Sequence, residues 1–229
     1  KRKLDELRGQ GVEPYPYSFE RKDSAADLLK KHEKLGKGEK DSKTVTIAGR
    51  IMTLRPMGKA GFAHVQDQTG KIQMYVREDV IGKEQYFIFQ KLDLGDIIGV
   101  KGHVFRTKLG EVSVWVDELT LLAKSLRPLP EKWHGLKDME LRYRYRYLDL
   151  IANPEVKKIF EMRSKIIDAI REFLKSKGFL EVDTPILQPL YGGANARPFK
   201  TFLQDLKMDV YMRISDELYL KRLVIGGFE

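Results

Sequence analysis

The sequence contains no cysteine, which excludes disulfide bonds and thiolate metal sites. Its four histidines are scattered without metal-ligand spacing, at His32, His64, His103 and His134, so we expect no zinc site. No apolar run approaches the roughly 20 residues of a membrane-spanning helix. No apolar segment follows the charged N-terminus, as a secretory signal requires. These absences are typical of a cytoplasmic protein with no membrane partner.

Basic residues are in excess, with 42 Lys and Arg against 33 Asp and Glu and a formal net charge of +9. A surface of this sign favours polyanions, so a nucleic acid is the first candidate partner. Many cytosolic proteins are basic without a specific ligand, and charge alone therefore does not decide. A chain of 229 residues is long enough for two domains, each with its own core.

The first half of the chain changes from a helical to a strand-like pattern. Residues 1–43 are charged and helix-prone around a break at residues 13–17, where two prolines fix φ. The second of the two predicted helices covers 24–35, with Ser24 or Asp23 as its cap. Residues 44–126 alternate apolar and polar positions with the period of β-strands. The predicted strands cover 44–55, 61–66, 71–78, 96–107 and 111–122, with a helix over 84–92. Five strands with one helix after the third are typical of an OB-fold; the alternative is another small barrel, such as an SH3-like one.

The second half begins with a predicted linker or hinge at 127–152, because prolines at 128 and 130 cannot continue a strand. Its segment RYRYRY (142–147) alternates arginine and tyrosine. This pattern suits RNA binding or a packed hinge whose arginines pair with carboxylates, and we favour the hinge. A domain over 153–229 follows, with a long amphipathic helix predicted over 153–178 and a strand over 179–184.

The predicted barrel contains residue types that a nucleic-acid reader needs, which are an aromatic face, polar groups and cations. The candidates are Phe62, Gln73 and Arg55. Gln73 shares one face of its strand with Lys71 and Tyr75, while the alternate residues are apolar and predicted to face the core. The alternative for Phe62 is a core aromatic residue.

Five segments together identify a family resemblance. They are GRIMTLRPMGKAGFAHVQDQTGKIQMYV, LRYRYRYLDL, FLEVDTPIL, GGANARPF and ELYLKRLVIGGFE. Because of these segments, the chain resembles bacterial-type class II lysyl-tRNA synthetases over nearly its whole length. The resemblance implies an α+β protein, in which an N-terminal OB-fold β-barrel precedes the start of a class II antiparallel-sheet catalytic domain. It also implies a homodimeric lysine-tRNA ligase that uses ATP and Mg²⁺ to join L-lysine to the 3′ end of tRNA(Lys).

The resemblance assigns roles to residues of the barrel. Phe62 would stack on an anticodon base, and Gln73 and Arg55 would read base edges. Glu111 would contact a neighbouring base, where a carboxylate can only accept a hydrogen bond.

Three residues of the second domain also receive roles from the resemblance. Gly193 would line the lysine pocket, Glu217 would bind the α-ammonium group, and Pro185 would lie at the dimer interface. Read without the family, Gly193 is part of a turn and Pro185 ends a strand. Glu217 could equally be an acidic residue that the dipole of a helix N-terminus favours.

The chain departs from the family at residues 202–205 and 215–216. The family's ATP-binding arginines and the acidic group that recognises the lysine ε-ammonium are absent. We therefore expect these residues beyond Glu229, no catalytic residue within the chain, and no catalysis by it alone. The alternatives are an aspartyl- or asparaginyl-tRNA synthetase of the same architecture, or a non-catalytic OB-fold RNA-binding protein.

Overall fold

The computed structural model describes residues 1–130 and 136–228. The chain forms two compact units, Lys1–Ala152 and Asn153–Glu229. His134, part of the predicted linker, and Glu229 lie outside the described residues. Among the described residues, no helix is both long and apolar enough to cross a membrane.

The first unit contains five helices and five strands in its described part. The helices are α1 (Arg2–Gly9), α2 (Ala25–Lys31), α3 (Glu78–Lys91), α4 (Met139–Arg144) and α5 (Arg146–Ala152). The strands are β1 (Lys40–Met57), β2 (Ala60–Gln66), β3 (Lys71–Arg77), β4 (Ile97–Arg106) and β5 (Val112–Ala123).

The five strands close into a barrel in the order β1-β2-β3-β5-β4, and β4 pairs again with β1. All neighbours are antiparallel except β3 and β5, which are parallel. The predicted five strands with a helix after the third are confirmed. β1 begins at Lys40 instead of residue 44, because Lys40 pairs with Phe105 beyond a register shift.

Alternation along each strand divides the barrel into a core and an outer face. On β3, Ile72, Met74 and Val76 are buried, whereas Gln73 and Tyr75 are half-buried on the outside, as predicted. Full burial of one such aliphatic side chain stabilises the fold by about 1.5–3 kcal/mol. The closed core therefore fixes which residues of each strand can meet a ligand.

Two helices of this unit differ from the prediction at their ends. Ser24 caps α2, since its hydroxyl accepts the Asp27 N–H at 3.3 Å. α2 ends at Lys31, before residue 35. Gly82 (φ 81°, ψ 163°) interrupts α3, a conformation that suits glycine. The predicted helix over 84–92 matches the part after this break, and the turn before it was missed.

An ion cluster with a buried Lys124–Asp96 pair at its centre joins α1, the α3–β4 loop and the end of β5. The Lys124 ammonium is 2.7 Å from Asp93 Oδ2 and 2.9 Å from both Asp96 oxygens. Asp96 also accepts the Ser125 N–H, and Lys3 binds Asp93 at 2.6 Å. Burial alone lowers the pKa of Lys124, but its hydrogen bonds to Asp93 and Asp96 outweigh burial and raise that pKa.

We expect Lys124→Met to destabilise the barrel by about 3–5 kcal/mol, because the fully buried Asp96 carboxylate would lose its ammonium partner. Amide hydrogen exchange of β5 in the full chain measures this change. The control is Lys101→Met, which removes the exposed pair with Glu118 and should cost at most about 1 kcal/mol. Equal losses in the two variants would contradict the prediction.

The arginine–tyrosine segment pairs internally with carboxylates. Arg142 Nε donates to Asp149 Oδ1 at 2.8 Å, and Arg146 binds the second oxygen of this fully buried carboxylate. Arg144 pairs with Glu140. The predicted pairing of these arginines is confirmed, and it neutralises charge that RNA phosphates would otherwise meet.

The second unit contains α6 (Pro154–Ser176), β6 (Leu187–Gln188), β7 (Lys200–Leu203), β8 (Met208–Met212) and α7 (Glu217–Ile225). The strands form an antiparallel sheet in the order β6-β8-β7. Residues 202–205, where the chain departs from the family, lie in the β7–β8 hairpin. Its turn includes Lys207 at a left-handed φ of 50°.

The long predicted helix is confirmed, with Asn153 at the N-cap position and Pro154 at the first turn. The predicted strand over 179–184 is wrong. These residues have no ladder partner in the described part of the chain, and an isolated strand leaves its backbone groups without hydrogen bonds. Pairing begins only at Leu187, opposite Met212.

Candidate functional site

Four aromatic rings lie together on the outer face of the barrel. Phe62 stacks on Tyr75, with ring centroids 4.5 Å apart and planes at 28°. Trp115 meets Tyr75 edge-on at 5.2 Å and Phe105 at 5.6 Å. All four side chains are half-buried and lie outside the hydrophobic core. The interpretation of Phe62 as a core residue is therefore wrong.

Cations surround this aromatic cluster. Arg55 lies opposite Phe62 in the β1–β2 register and is exposed. It forms no ion pair with another residue in the described ranges. Lys40 Nζ and Arg77 Cζ lie 5.3 and 5.6 Å from the centroid of Trp115, within the distance of a cation–π interaction. The face therefore combines stacking surface with positive charge.

Gln73 on β3 and Glu111, immediately before β5, form a polar pair beside the rings. Gln73 Nε2 donates to Glu111 Oε2 at 2.7 Å, and the buried Ser113 hydroxyl donates to Gln73 Oε1 at 2.8 Å. Because a carboxylate only accepts, the NH₂ group of Gln73 must face Glu111. Its second N–H has no acceptor among the residues that the structure describes.

The other oxygen of Glu111 meets His64. His64 Nε2 lies 2.8 Å from Glu111 Oε1, and His64 Nδ1 lies 2.7 Å from the Thr53 hydroxyl. The Thr53 oxygen also accepts the backbone N–H of His64 at 3.0 Å. A continuous chain of hydrogen bonds, Thr53–His64–Glu111–Gln73–Ser113, thus runs beside the aromatic cluster; we call it the polar chain.

The barrel face offers a stacking ring, an amide donor and a carboxylate acceptor side by side. A nucleobase presents a π-face together with an edge of donors and acceptors, and proteins that bind single strands use stacking, hydrogen bonds and nearby cations. The structure thus brings together all four predicted barrel residues: Arg55, Phe62, Gln73 and Glu111.

Sequence reasoning missed the roles of Thr53, Ser113, Phe105 and Trp115. The period of two along β4 and β5 could have placed Phe105, Ser113 and Trp115 on one face. Thr53 could not be found in this way, because a register shift precedes it in β1.

In the second unit the structure brings Gly193 and Glu217 together. Gly193 has a φ of 84°, and a Cβ there would lie 2.8 Å from Glu217 Cβ and 3.1 Å from its Oε2. Only glycine therefore fits without displacing the glutamate. Glu217 begins α7, where its N–H donates to the Ser215 hydroxyl. Its half-exposed carboxylate holds the Lys221 ammonium at 2.6 Å.

Pro185 is exposed, in a segment that hydrogen bonds tie to the loop before α7. The Thr184 hydroxyl donates to Asp216 Oδ1 at 2.6 Å, and Arg213 donates to the Thr184 carbonyl at 2.9 Å. The carbonyl of Pro185 accepts a hydrogen bond from Gln188 Nε2 in β6 at 3.3 Å.

Comparison with known families gives two matches. Residues 138–229 match the family described as tRNA synthetases class II (D, K and N). Residues 45–122 match the OB-fold nucleic acid binding domain, which confirms the predicted fold class of the barrel. The chain belongs to the class II tRNA synthetases.

Curated relatives of this synthetase chain carry the name lysine–tRNA ligase. The protein from Carboxydothermus hydrogenoformans is 59% identical over 99% of this chain and 46% of its own length. The protein from Pelotomaculum thermopropionicum is 59% identical over 99% of this chain and 44% of its own length. The protein from Thermosipho africanus is 53% identical over 99% of this chain and 45% of its own length. The chain thus spans about half the length of the curated relatives that it matches.

Proposed function

We propose that this chain is part of a lysine-tRNA ligase that activates L-lysine with ATP and transfers it to the 3′ end of tRNA(Lys). The name shared by these curated relatives supports lysine over the aspartate and asparagine members of the family. The observation that carries the proposal is the Gln73–Glu111 pair beside the Phe62–Tyr75 stack, on the barrel face. We propose that this face reads the anticodon.

Each barrel residue has a distinct task in this proposal. Phe62 stacks on a base, the second N–H of Gln73 donates to a base carbonyl, and Glu111 accepts a base N–H. Arg55, exposed and without an ion-pair partner in the described ranges, contacts a base edge. This division matches the donor and acceptor character of each side chain.

We expect Phe62→Ala to weaken binding of a lysine anticodon stem-loop by about 1–3 kcal/mol, because a stacking surface is lost. Fluorescence anisotropy at fixed salt measures the affinity. Phe62→Leu should also weaken binding, since it retains apolar volume without a ring. Tyr17→Ala removes a fully exposed ring outside the barrel strands and should have no effect. Unchanged binding by both Phe62 variants would overturn the role of this face.

In the second unit we propose that Glu217 binds the α-ammonium group of lysine and that the loop at Gly193 lines the same pocket. Two observations support this assignment: Gly193 approaches Glu217 so closely that a side chain is excluded, and the carboxylate already holds an ammonium group, that of Lys221. The position at the start of α7 favours a carboxylate in any case. A test must therefore separate substrate binding from helix stability.

We expect Glu217→Gln to weaken lysine binding about tenfold or more, because a hydrogen bond between charged groups is lost. Calorimetry with lysine and with 6-aminohexanoic acid, which lacks the α-amino group, measures the effect. The second ligand should bind equally well to both proteins. Glu172→Gln, on exposed α6, is the matched control. Equal losses for the two ligands would remove Glu217 from the α-ammonium site.

ATP and Mg²⁺ belong to the proposed reaction, but no residue here is assigned to them. Among the described residues, no three His, Asp or Glu side chains cluster in a way that could hold a metal ion. We further propose a cytoplasmic location and four segments: a helical one (1–43), the anticodon-binding barrel (44–126), a linker (127–152) and part of the catalytic domain (153–229).

We also propose a homodimer that uses α6 and the segment at Pro185. α6 exposes a row of large apolar side chains, each between 38% and 67% accessible: Ile159, Phe160, Met162, Ile166, Ile167, Ile170, Phe173 and Leu174. A contiguous apolar patch of this kind is rare on a monomer and is typical of an interface. A second copy of the chain would cover it.

We expect Ile166→Glu to shift the protein towards monomer, because it places a charge in the apolar row. Analytical ultracentrifugation across micromolar concentrations measures the equilibrium. Lys165→Glu makes a charge change at the adjacent exposed position and should leave the dimer unchanged. A wild-type protein that is monomeric throughout this range would contradict the proposal.

A further inference from the structure

We propose that His64 is a positioning residue for base recognition: it fixes the Glu111 carboxylate so that the barrel face discriminates between bases. The inference rests on the proposed anticodon-reading function and deepens it. His64 does not need to touch the RNA in this role. It acts through Glu111, the acceptor of the polar chain.

Glu111 needs such support because of its place in the fold. It precedes β5 in a turn, where Thr107 holds only its backbone: the Glu111 N–H donates to the Thr107 hydroxyl, and its carbonyl accepts the Thr107 N–H. The side chain is 49% exposed. A glutamate in such a position samples many rotamers. Two contacts restrict it, one from His64 and one from Gln73.

His64 is itself held in one orientation. The Glu111 carboxylate can only accept, so His64 Nε2 carries a proton and donates it to Glu111. In the neutral ring Nδ1 then accepts the proton of the Thr53 hydroxyl, whose oxygen also accepts the backbone N–H of His64. The register shift between Ile51 and Thr53 brings Thr53 opposite His64. Irregularities of this kind commonly re-aim a side chain near a functional site.

The consequence is a carboxylate whose two oxygens each receive one donor and whose remaining lone pairs are fixed. A base that offers an N–H at this position, such as the N3–H of uracil, meets a preset acceptor and loses less freedom on binding. A base that offers an acceptor there, such as N3 of cytosine, meets unpaired lone pairs and is rejected. His64 therefore controls discrimination more than overall affinity.

Binding of the full chain to a lysine anticodon stem-loop and to a single-base variant of it tests this inference. The variant differs only in carrying cytidine in place of uridine at the central anticodon position. We expect His64→Leu to lower the uridine-to-cytidine affinity ratio about tenfold, the scale of one lost edge contact. His64→Gln should retain most of the ratio, since its amide N–H can replace the Nε2 donor.

The matched control is His103→Leu. His103 makes the same kind of contact on the same barrel, with Nδ1 2.6 Å from Asp117 Oδ2 and similar exposure, but it does not contact Glu111. This variant should leave the ratio unchanged. Melting curves of each variant identify any general loss of fold. If His103→Leu lowered the affinity ratio as much as His64→Leu does, the effect would not be specific to His64.

A double-mutant cycle with Glu111→Gln shows whether His64 acts through Glu111 or independently of it. If His64 acts through Glu111, His64→Leu should change the ratio no further in the Glu111→Gln background. The positioning role would be overturned if the losses in the affinity ratio from His64→Leu and Glu111→Gln added in the double variant. It would also be overturned if His64→Leu and His64→Gln lowered the ratio equally. If Glu111→Gln loses discrimination while His64→Leu keeps it, this inference alone fails. If the wild-type chain binds neither stem-loop, the proposed function fails first.

Discussion

The parallel pairing of β3 with β5 is the constraint on which the rest of the barrel depends. Its three pairs are Gln73–Ser113, Met74–Val114 and Tyr75–Trp115. The middle pair faces inward and seals the core, while the two outer pairs place an amide beside its hydroxyl partner and one ring beside another. A slip of one residue would turn all these side chains to the opposite face. The contact that closes the barrel therefore also builds the face that we propose for anticodon recognition.

The polar chain depends on this closure because its members come from separate strands. Ser113 is fully buried, and a buried hydroxyl without a partner is costly, so its bond to Gln73 is part of the stability of the fold. That bond fixes the amide, and the amide then restrains Glu111. Stability and the proposed recognition are thus coupled, because the hydrogen bond that satisfies the buried Ser113 hydroxyl also orients the amide that restrains Glu111.

Local patterns in the sequence revealed the parts of the structure that local physics determines. Alternation placed Gln73 and Tyr75 on the outer face of β3, and helical spacing revealed α6. The contact between His64 and Glu111, which are 47 positions apart, depends on strand order and on a register shift that no local pattern encodes. The strand predicted over 179–184 failed for a related reason, since alternation indicates an extended segment but not the partner that makes it a strand.

The two candidate sites differ in what holds them. The barrel face rests on a closed core to which every strand contributes, so its geometry is a property of the barrel itself. In the second unit, the buried residues of the described part are few, Val156, Gln188 and Val210, and α6 presents apolar side chains outward. Burial of apolar surface is the main force that fixes a fold. The geometry around Gly193 and Glu217 therefore depends on the surfaces that cover this unit, and the proposed second copy at α6 would bury part of its exposed apolar surface.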